Sequence, residues 1–458
     1  MTNYQDISMG PVDRTYRHML TGSTRVLSGQ PFLYSANGTT SMVLEATMVD
    51  RVDGGVLQHA VDQTLRRYPY FTSSFERRGD QYFVADNPCP VLVARTPFLR
   101  PLGGGEVNGH LIDITYWDHT IWVSYHHGLT DGRGIMQFFQ HLVNAYVSGD
   151  VSGDERLAGP EPAKAAEMRE PMELTENGPD AREQRAVGDT ADESGESQPV
   201  HHLFAESSGA GGDPSFRYSF SISEADFVEF AHARNASPAI AAAVLVARAA
   251  QEETGQDTGV DTPRIVVNMA SDLRGGADNP DSLRNSVGSI SLPIVQPVGT
   301  DAEFTAAATD LREAIREQKR PENMRRALEG MAGLYRKLDE LPNLEAKQQL
   351  VGALDELVDS SFVLSYSGRV ELGAAESHVR ELHTYRGGTS GLTVQMMAAN
   401  GTIGLDLIQD SEDPRYASLL SDELREGGVE HSMSGAIRFT TPVDELGASG
   451  GCAERAAA

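Results

Sequence analysis

Across Ser124-Tyr125-His126-His127-Gly128-Leu129-Thr130-Asp131-Gly132 the hydrophobic period of the chain switches from two to three-and-four. Upstream, Ile121, Val123 and Tyr125 alternate with Trp122, Ser124 and His126, as expected of a strand with two different faces, after a turn-like Trp117-Asp118-His119. Downstream, Ile135, Phe138, Phe139, Leu142, Val143 and Tyr146 fall on one face of a helix. The nine residues are therefore confined to a sharp strand-to-helix turn, for which Gly128 and Gly132 supply backbone freedom. His126 and His127, adjacent at the strand end, point opposite ways.

His127 is a candidate general base. To move an acyl group from a thioester to an alcohol or amine, the acceptor must lose a proton as it attacks, and imidazole can take that proton and return it to the leaving thiolate. The base has to be held in one orientation. Asp131 reads as a charged anchor of the turn, although a helix N-cap would also use it. A His-His pair alone carries little weight among 13 histidines. His201-His202 follows an acidic polar tract, lacks a following Asp-Gly and reads as surface.

In its strand-turn-helix setting, HHGLTDG resembles the HHxxxDG signature of the superfamily of nonribosomal-peptide condensation domains and chloramphenicol-acetyltransferase-like enzymes. The resemblance extends to Leu57, Val61 and Leu65, then Arg67-Tyr68-Pro69-Tyr70-Phe71 through Phe75, and Asp80-Gln81-Tyr82-Phe83, similar to the family's first helix, its Tyr-Pro exit and the following strand. Val267-Asn268-Met269-Ala270-Ser271-Asp272-Leu273-Arg274 and Leu283-Arg284-Asn285-Ser286 resemble a strand and loop of the family's second half. The branch it most resembles is the bacterial alcohol-acetyltransferase-like group. The Asp-Phe-Gly-Trp-Gly motif of plant acyltransferases is absent.

The resemblance implies that His127 is the catalytic base, and that His126, Asp131 and Gly132 shape the site. It also implies that Arg274 pairs with Asp131 across the two halves. Asn285 matches a polar residue near the channel floor; a turn asparagine is an equal alternative. Many members have glycine where this chain has Arg284. Leu364-Ser365-Tyr366-Ser367-Gly368 resembles a Ser-Asn-x-Gly strand end that lines the site, with Tyr366 replacing the asparagine. Ser365, Tyr366 and Ser367 are candidates for contacts to substrate or to the oxyanion, and a buried strand with bonded hydroxyls explains them equally well.

A chain of 458 residues suits two domains. Positions 161–199 carry eleven Asp or Glu against four Lys or Arg, with Pro, Gly and Ser throughout, the composition of a disordered linker. The expected division is an N-terminal half over 1–160, a linker over 161–213, a C-terminal half over 214–443 and a flexible tail over 444–458. Both halves mix strands and helices. The expected fold class is α/β (α+β), and the resemblance implies two chloramphenicol-acetyltransferase-like domains arranged as a V, with the site at their interface.

The net charge of −28 disfavours nucleic acid. It also opposes anionic coenzyme A and acidic carrier proteins, so a donor site needs a local basic patch. Cys89 and Cys452 suggest neither a disulfide framework nor a metal cluster, in keeping with a reducing cytoplasm. No signal peptide or membrane-spanning run is evident. Gly388-Thr389-Ser390-Gly391 lacks the spacing of a serine-hydrolase elbow, and no P-loop or HExxH occurs.

The expected activity is acyl transfer from a thioester, acyl-CoA or a carrier-bound phosphopantetheine, to a small-molecule alcohol or, secondarily, an amine. No metal and no permanently bound cofactor is expected. The alternatives are a condensation enzyme dependent on an acyl carrier protein and a non-catalytic binding or scaffold protein.

Overall fold

The computed structural model describes residues 23–35, 41–149, 168–172, 199–204, 215–258, 263–357, 359–388, 391–444 and 446. Most of the acidic stretch, the Thr389-Ser390 turn and Cys452 lie outside the described residues. Cys89 is disulfide-bonded, which corrects the expectation of unlinked cysteines and removes that argument for a reducing compartment. No described helix is long and apolar enough to cross a membrane.

Three sheets organise the described residues. A small one joins Thr24–Arg25 (β1), Gln81–Ala85 (β4) and Ser74–Arg78 (β3). A five-stranded sheet runs, in spatial order, Val379–Arg386 (β12), Ser41–Met48 (β2), Thr120–His126 (β7), Ile112–Trp117 (β6) and Ala94–Arg95 (β5). The largest runs Val287–Ile294 (β10), Ile265–Asp272 (β9), Phe362–Arg369 (β11), Leu392–Ala399 (β13), Thr402–Gln409 (β14) and Ser215–Ser223 (β8), with His431–Met433 (β15) and Ile437–Phe439 (β16) pairing β8. The mixed α/β class agrees with the sequence reading.

The helices are Gln30–Tyr34 (α1), Gly54–Arg67 (α2), Gly132–Ser148 (α3), Glu224–Ala233 (α4), Pro238–Thr258 (α5), Asp301–Gln318 (α6), Pro321–Glu340 (α7), Leu344–Leu357 (α8) and Arg415–Glu426 (α9). They begin where local chemistry favours them. Asp53 caps α2 by accepting from the N–H groups of Gly55 and Val56, and Thr300 with Glu303 forms a reciprocal capping box on α6. Breaks at Pro321 and Pro342 separate α6, α7 and α8, and β11 follows α8 to run parallel with both β9 and β13, as a crossover connection allows.

Two hydrophobic cores share one strand. Along β13, Val394, Met396 and Ala398 enter the core of the largest sheet while Met397 and Ala399 enter the core of the five-stranded sheet. Both faces are thus buried, which explains a near-continuous apolar sequence in place of strict alternation. α3 buries Ile135, Phe138, Phe139, Leu142 and Val143 in the five-stranded core, the stripe read from sequence.

The two parts of the chain are interleaved. β12 pairs antiparallel with β2 through seven register partners from Val379↔Met48 to Arg386↔Met42, so the five-stranded sheet takes an edge strand from the C-terminal part. Leu338 of α7 and Val351 of α8 also belong to the core of the five-stranded sheet. Within the stretch expected to be a disordered linker, residues 168–172 and 199–204 are ordered: Met168 is buried in the first core and Leu203 in the second. Leu446, in the expected tail, is buried as well.

A buried ionic network crosses between the sheets. Glu45 Oε2 on β2 accepts from Trp122 Nε1 at 2.8 Å, Arg217 Nη2 at 2.8 Å and the Tyr385 hydroxyl at 3.0 Å. Arg217, on β8, also lies 3.6 Å from Asp406 and stacks 3.9 Å over the Tyr385 ring. His383 Nδ1 is 2.9 Å from Asp406 Oδ2, and His383 Nε2 is 3.8 Å from Glu381. Burial alone would lower the His383 pKa, but the charge and hydrogen bond of Asp406, with Glu381 and Glu45, raise it to about 10.

A pKa raised from the ordinary 6.5 to about 10 contributes stability that is complete below about pH 6.5 and is lost as pH rises through about 10. His383→Gln should remove this component, so that wild type and variant converge in urea stability between pH 6.5 and pH 10. A constant stability difference across that window would show that His383 is not a protonated tie.

Candidate active site

The turn after β7 is fixed from three directions. From within, the Gly128 N–H donates to His126 Nδ1 at 2.9 Å and the Gly134 N–H donates to Asp131 Oδ1 at 2.8 Å, capping α3. From the side, the Tyr70 hydroxyl donates to the Leu129 carbonyl at 2.7 Å. From the C-terminal part, Thr130 Oγ1 donates to the Leu283 carbonyl at 2.6 Å. A Cβ on Gly134 would lie 2.4 Å from that carbonyl, so a glycine is required for this approach.

Asp131 and Arg274 form the central contact. Arg274 Nη1 and Nη2 donate to Asp131 Oδ2 and Oδ1, each at 3.0 Å, a bidentate pair with side chains only 4% and 11% exposed. The remaining guanidinium donors reach the Ser282 carbonyl at 3.1 Å, the Arg284 carbonyl at 2.8 Å and Asp272 Oδ1 at 2.8 Å. The Ser286 N–H donates to Asp131 Oδ2 at 2.7 Å. One ion pair therefore sets the start of α3 and the path of the chain from Leu273 to Ser286.

His127 lies inside this frame, 8% exposed. Its ring stacks on Phe32 of α1 at 4.2 Å between centroids and 7° between planes. α1 can press this close because Gly29 meets the turn: a Cβ there would be 2.2 Å from the Gly128 carbonyl oxygen. Asn285 fixes the other side. Its Oδ1 accepts from the Val287 N–H at 2.9 Å, which turns Nδ2 toward His127, 2.9 Å from both the carbonyl oxygen and Nδ1.

Burial pushes the His127 pKa down to about 4; the charge of Asp131 opposes the shift and that of Arg386 assists it. His126 is fully buried on the opposite face, edge-on to Phe75 at 5.2 Å. Burial and the neighbouring His127 lower its pKa to about 3. Both rings are neutral at physiological pH, and only His127 has any exposure.

The remaining sequence candidates are divided. Gly132 opens α3, and a Cβ there would approach Ser367 Oγ at 3.9 Å, so Ser367 faces the turn. Tyr366 packs against the core of the largest sheet, and burial, followed by the Glu224 charge, raises its pKa. Ser365 is half-buried and registered against Gln395. Asn285 contacts the base itself. Phe32 and Arg386 were missed by sequence reasoning: nothing in their local sequence signals a neighbour about 95 and 259 positions away.

No family model matches the chain, and no curated protein matches it. Its fold is nevertheless similar to that of solved acetyltransferases and condensation domains. Polyketide synthase associated protein 5 from Mycobacterium tuberculosis superposes with a TM-score of 0.58 at 13% identity, over 87% of this chain and 97% of that one. Trichothecene 15-O-acetyltransferase TRI3 from Fusarium sporotrichioides gives 0.58 at 8% identity, over 88% and 95%. TRI101 from F. sporotrichioides, solved with coenzyme A and T-2, gives 0.56 at 12% identity, over 90% and 99%.

Breaking the Asp131–Arg274 pair from either side should leave an uncompensated buried charge and cost roughly 3–5 kcal/mol. A double-mutant cycle with Asp131→Ala and Arg274→Ala, followed by chemical denaturation, should give a double variant less damaged than the sum of the singles. Additive losses below about 1 kcal/mol each would reduce Asp131 to a helix cap.

Proposed function

We propose that the protein is an acyltransferase that moves an acyl group from a thioester donor, acyl-CoA, to a hydroxyl group, with His127 as the general base. The observation that carries this reading is the imidazole of His127, clamped between Phe32 and Asn285 at a junction held by Asp131 and Arg274. We also propose that residues 1–160 and 214–443, interleaved through β12, α7 and α8, act as two halves of a V, with the substrates meeting at His127.

We assign the single ring proton to Nδ1; the backbone carbonyls of His127 and Thr130 both favour a proton on the ring. Asn285 Nδ2 then donates to the His127 carbonyl instead of to Nδ1, and Nε2 keeps its lone pair. As the acceptor oxygen bonds to the thioester carbon, its proton passes to Nε2. The tetrahedral oxyanion collapses, the carbon–sulfur bond breaks, and the imidazolium returns the proton to the departing thiolate.

Burial keeps the resting ring neutral and favours the second proton transfer, while making the ring a weaker base in the first. A ring with a pKa near 4 is almost entirely unprotonated at neutral pH, and once protonated it is a strong enough acid to protonate a thiolate readily. Ser367, facing the same turn, is a candidate donor to the oxyanion. Arg386 places a positive charge near the base, a local exception to the net −28 that otherwise repels an anionic donor.

An acyl group carried on protein-bound phosphopantetheine would present the same thioester, and condensation domains share this fold: the MokA condensation domain superposes with a TM-score of 0.50 at 13% identity, over 88% of this chain and 96% of that one. A free-thiol assay over acyl-CoAs and alcohols separates the readings. Thiol release from acyl-CoA supports the primary one. Release only from an acylated carrier protein supports the condensation reading, and none from either leaves a binding role.

His127→Ala should lower turnover roughly 10²- to 10⁴-fold without changing the melting temperature. Because the neutral ring is the active form, kcat/KM should fall as pH drops through about 4. A fall centred near the ordinary 6.5 would mean that the base is in contact with water.

A further inference from the structure

Both side chains that clamp His127 lie a few residues from one buried ion pair. Arg284, 1% exposed, directs its guanidinium at Glu170 in the acidic stretch and donates to the Arg25 carbonyl at 2.8 Å. Its Nε and Nη2 are buried without a hydrogen-bond partner among the described residues, so its burial depends on the Glu170 carboxylate. Glu170 in turn accepts from the N–H groups of Leu27 at 2.7 Å and Ser28 at 3.0 Å. On the other side, the carbonyls of Arg169 and Glu170 accept from Ser282 and Asn279, each at 2.7 Å, and that of Pro171 accepts from the Asp278 N–H at 2.9 Å. Residues 168–172 thus form a strap stitched to both the β1–α1 connection and the 278–284 loop.

Each side of the strap leads to the base. Leu27, held through its N–H, accepts at its carbonyl from the Gln30 N–H at 3.1 Å and so starts α1, and Phe32 of α1 stacks on the His127 ring. With only five residues, α1 is too short to keep its shape unaided in water, so its placement depends on what its ends are fastened to. On the other side, Arg284 immediately precedes Asn285, whose Nδ2 lies 2.9 Å from the His127 carbonyl. The Arg284 carbonyl also accepts from Arg274 Nη2 at 2.8 Å, which joins the strap to the Asp131–Arg274 pair.

We infer that Glu170 and Arg284 are a positioning pair for the base: by fastening the chain that enters α1 to the loop that ends at Asn285, they hold Phe32 and Asn285 against the two sides of His127. The inference rests on the acyltransferase reading for the reaction that this positioning serves. When the pair is lost, the clamps loosen, water reaches the ring, and the imidazole leaves the orientation that directs Nε2 at the acceptor. The charged groups facing His127 are Asp131 from the turn and Arg386 from β12, with the neutral His126 beside it. None of them belongs to the strap, so a changed titration of His127 reports hydration of the ring.

The test reads the ring directly in the full chain. NMR titration of the imidazole signals, with that of His127 identified by its loss in His127→Gln, should give a pKa near 4 in the unmodified protein. In Glu170→Gln/Arg284→Met, which removes both charges together, it should move toward the ordinary 6.5 by about one pH unit or more. In the same variant kcat should fall roughly 10- to 100-fold with KM little changed, because orientation is lost and substrate binding is not. Arg284→Lys, which keeps the ion pair, should stay close to the unmodified protein in both readouts. Ser282→Ala/Asn279→Leu loosens the strap from outside without stranding a charge and should shift the titration in the same direction, which keeps the test decisive should the first variant fold poorly. Phe32→Ala, which removes the stacked ring itself, sets the scale of the shift. A His127 titration that stays unmoved in the folded strap variants would overturn the positioning role, whether or not Phe32→Ala moves it. A shifted titration without thiol release from any thioester by the unmodified protein would keep the positioning pair and discard acyl transfer; thiol release with an unmoved titration would do the reverse.

Discussion

The carboxylate of Asp131 has four acceptor positions and all are used: the Gly134 and Ser286 N–H groups and two donors from Arg274. The guanidinium it faces has five donors, also all engaged. Neither group can be moved without stranding partners on both sides, since a buried unpaired charge costs far more than the pair gains. The position of His127 depends on this saturation, because the same contacts fix the turn that carries the imidazole and the loop that carries Asn285.

A second polar joint, Glu45–Arg217–Asp406–His383, ties β2 to β8, β12 and β14. Such networks contribute less to net stability than an apolar packing of equal volume, but they accept only one geometry. A sheet completed by a strand from the distant part of the chain needs that discrimination, because a one-residue slip of β12 would turn His383 and Tyr385 away from their partners. The electrostatic joints therefore specify the arrangement, while the apolar cores that meet at β13 supply the driving force.

Legibility from sequence followed range. The turn from β7 to α3 was readable because its signal is local periodicity, and the Asp131–Arg274 pair became readable only through resemblance, the two residues being 143 positions apart. β12 was not recognised: Val379 to Arg386 carries Arg380, Glu381, His383 and Arg386, a composition that suggests a surface, whereas Asp406 of β14 pairs with His383 and the Ser221 hydroxyl of β8 donates to Glu381. Asn285, by sequence a polar residue near the channel floor or a turn asparagine, has its amide oriented by Val287 and directed at the base. Tyr366 occupies the place of an expected active-site asparagine but turns into a core.

Glu170 shows how composition can conceal a structural residue. In a run of carboxylates it looks like one more solvated charge, and acidic composition argues for disorder on average. An average says nothing of a single carboxylate for which a buried arginine waits. Arg284, buried next to Asn285, would be strongly unfavourable without an anion to neutralise it, and residues 168–172 supply one in Glu170. Conversely, Met168 and Pro171 are the apolar residues that 168–172 buries, and the Glu170 contacts add to that anchorage. A buried arginine and an ordered piece of an acidic stretch thus each remove the cost of the other.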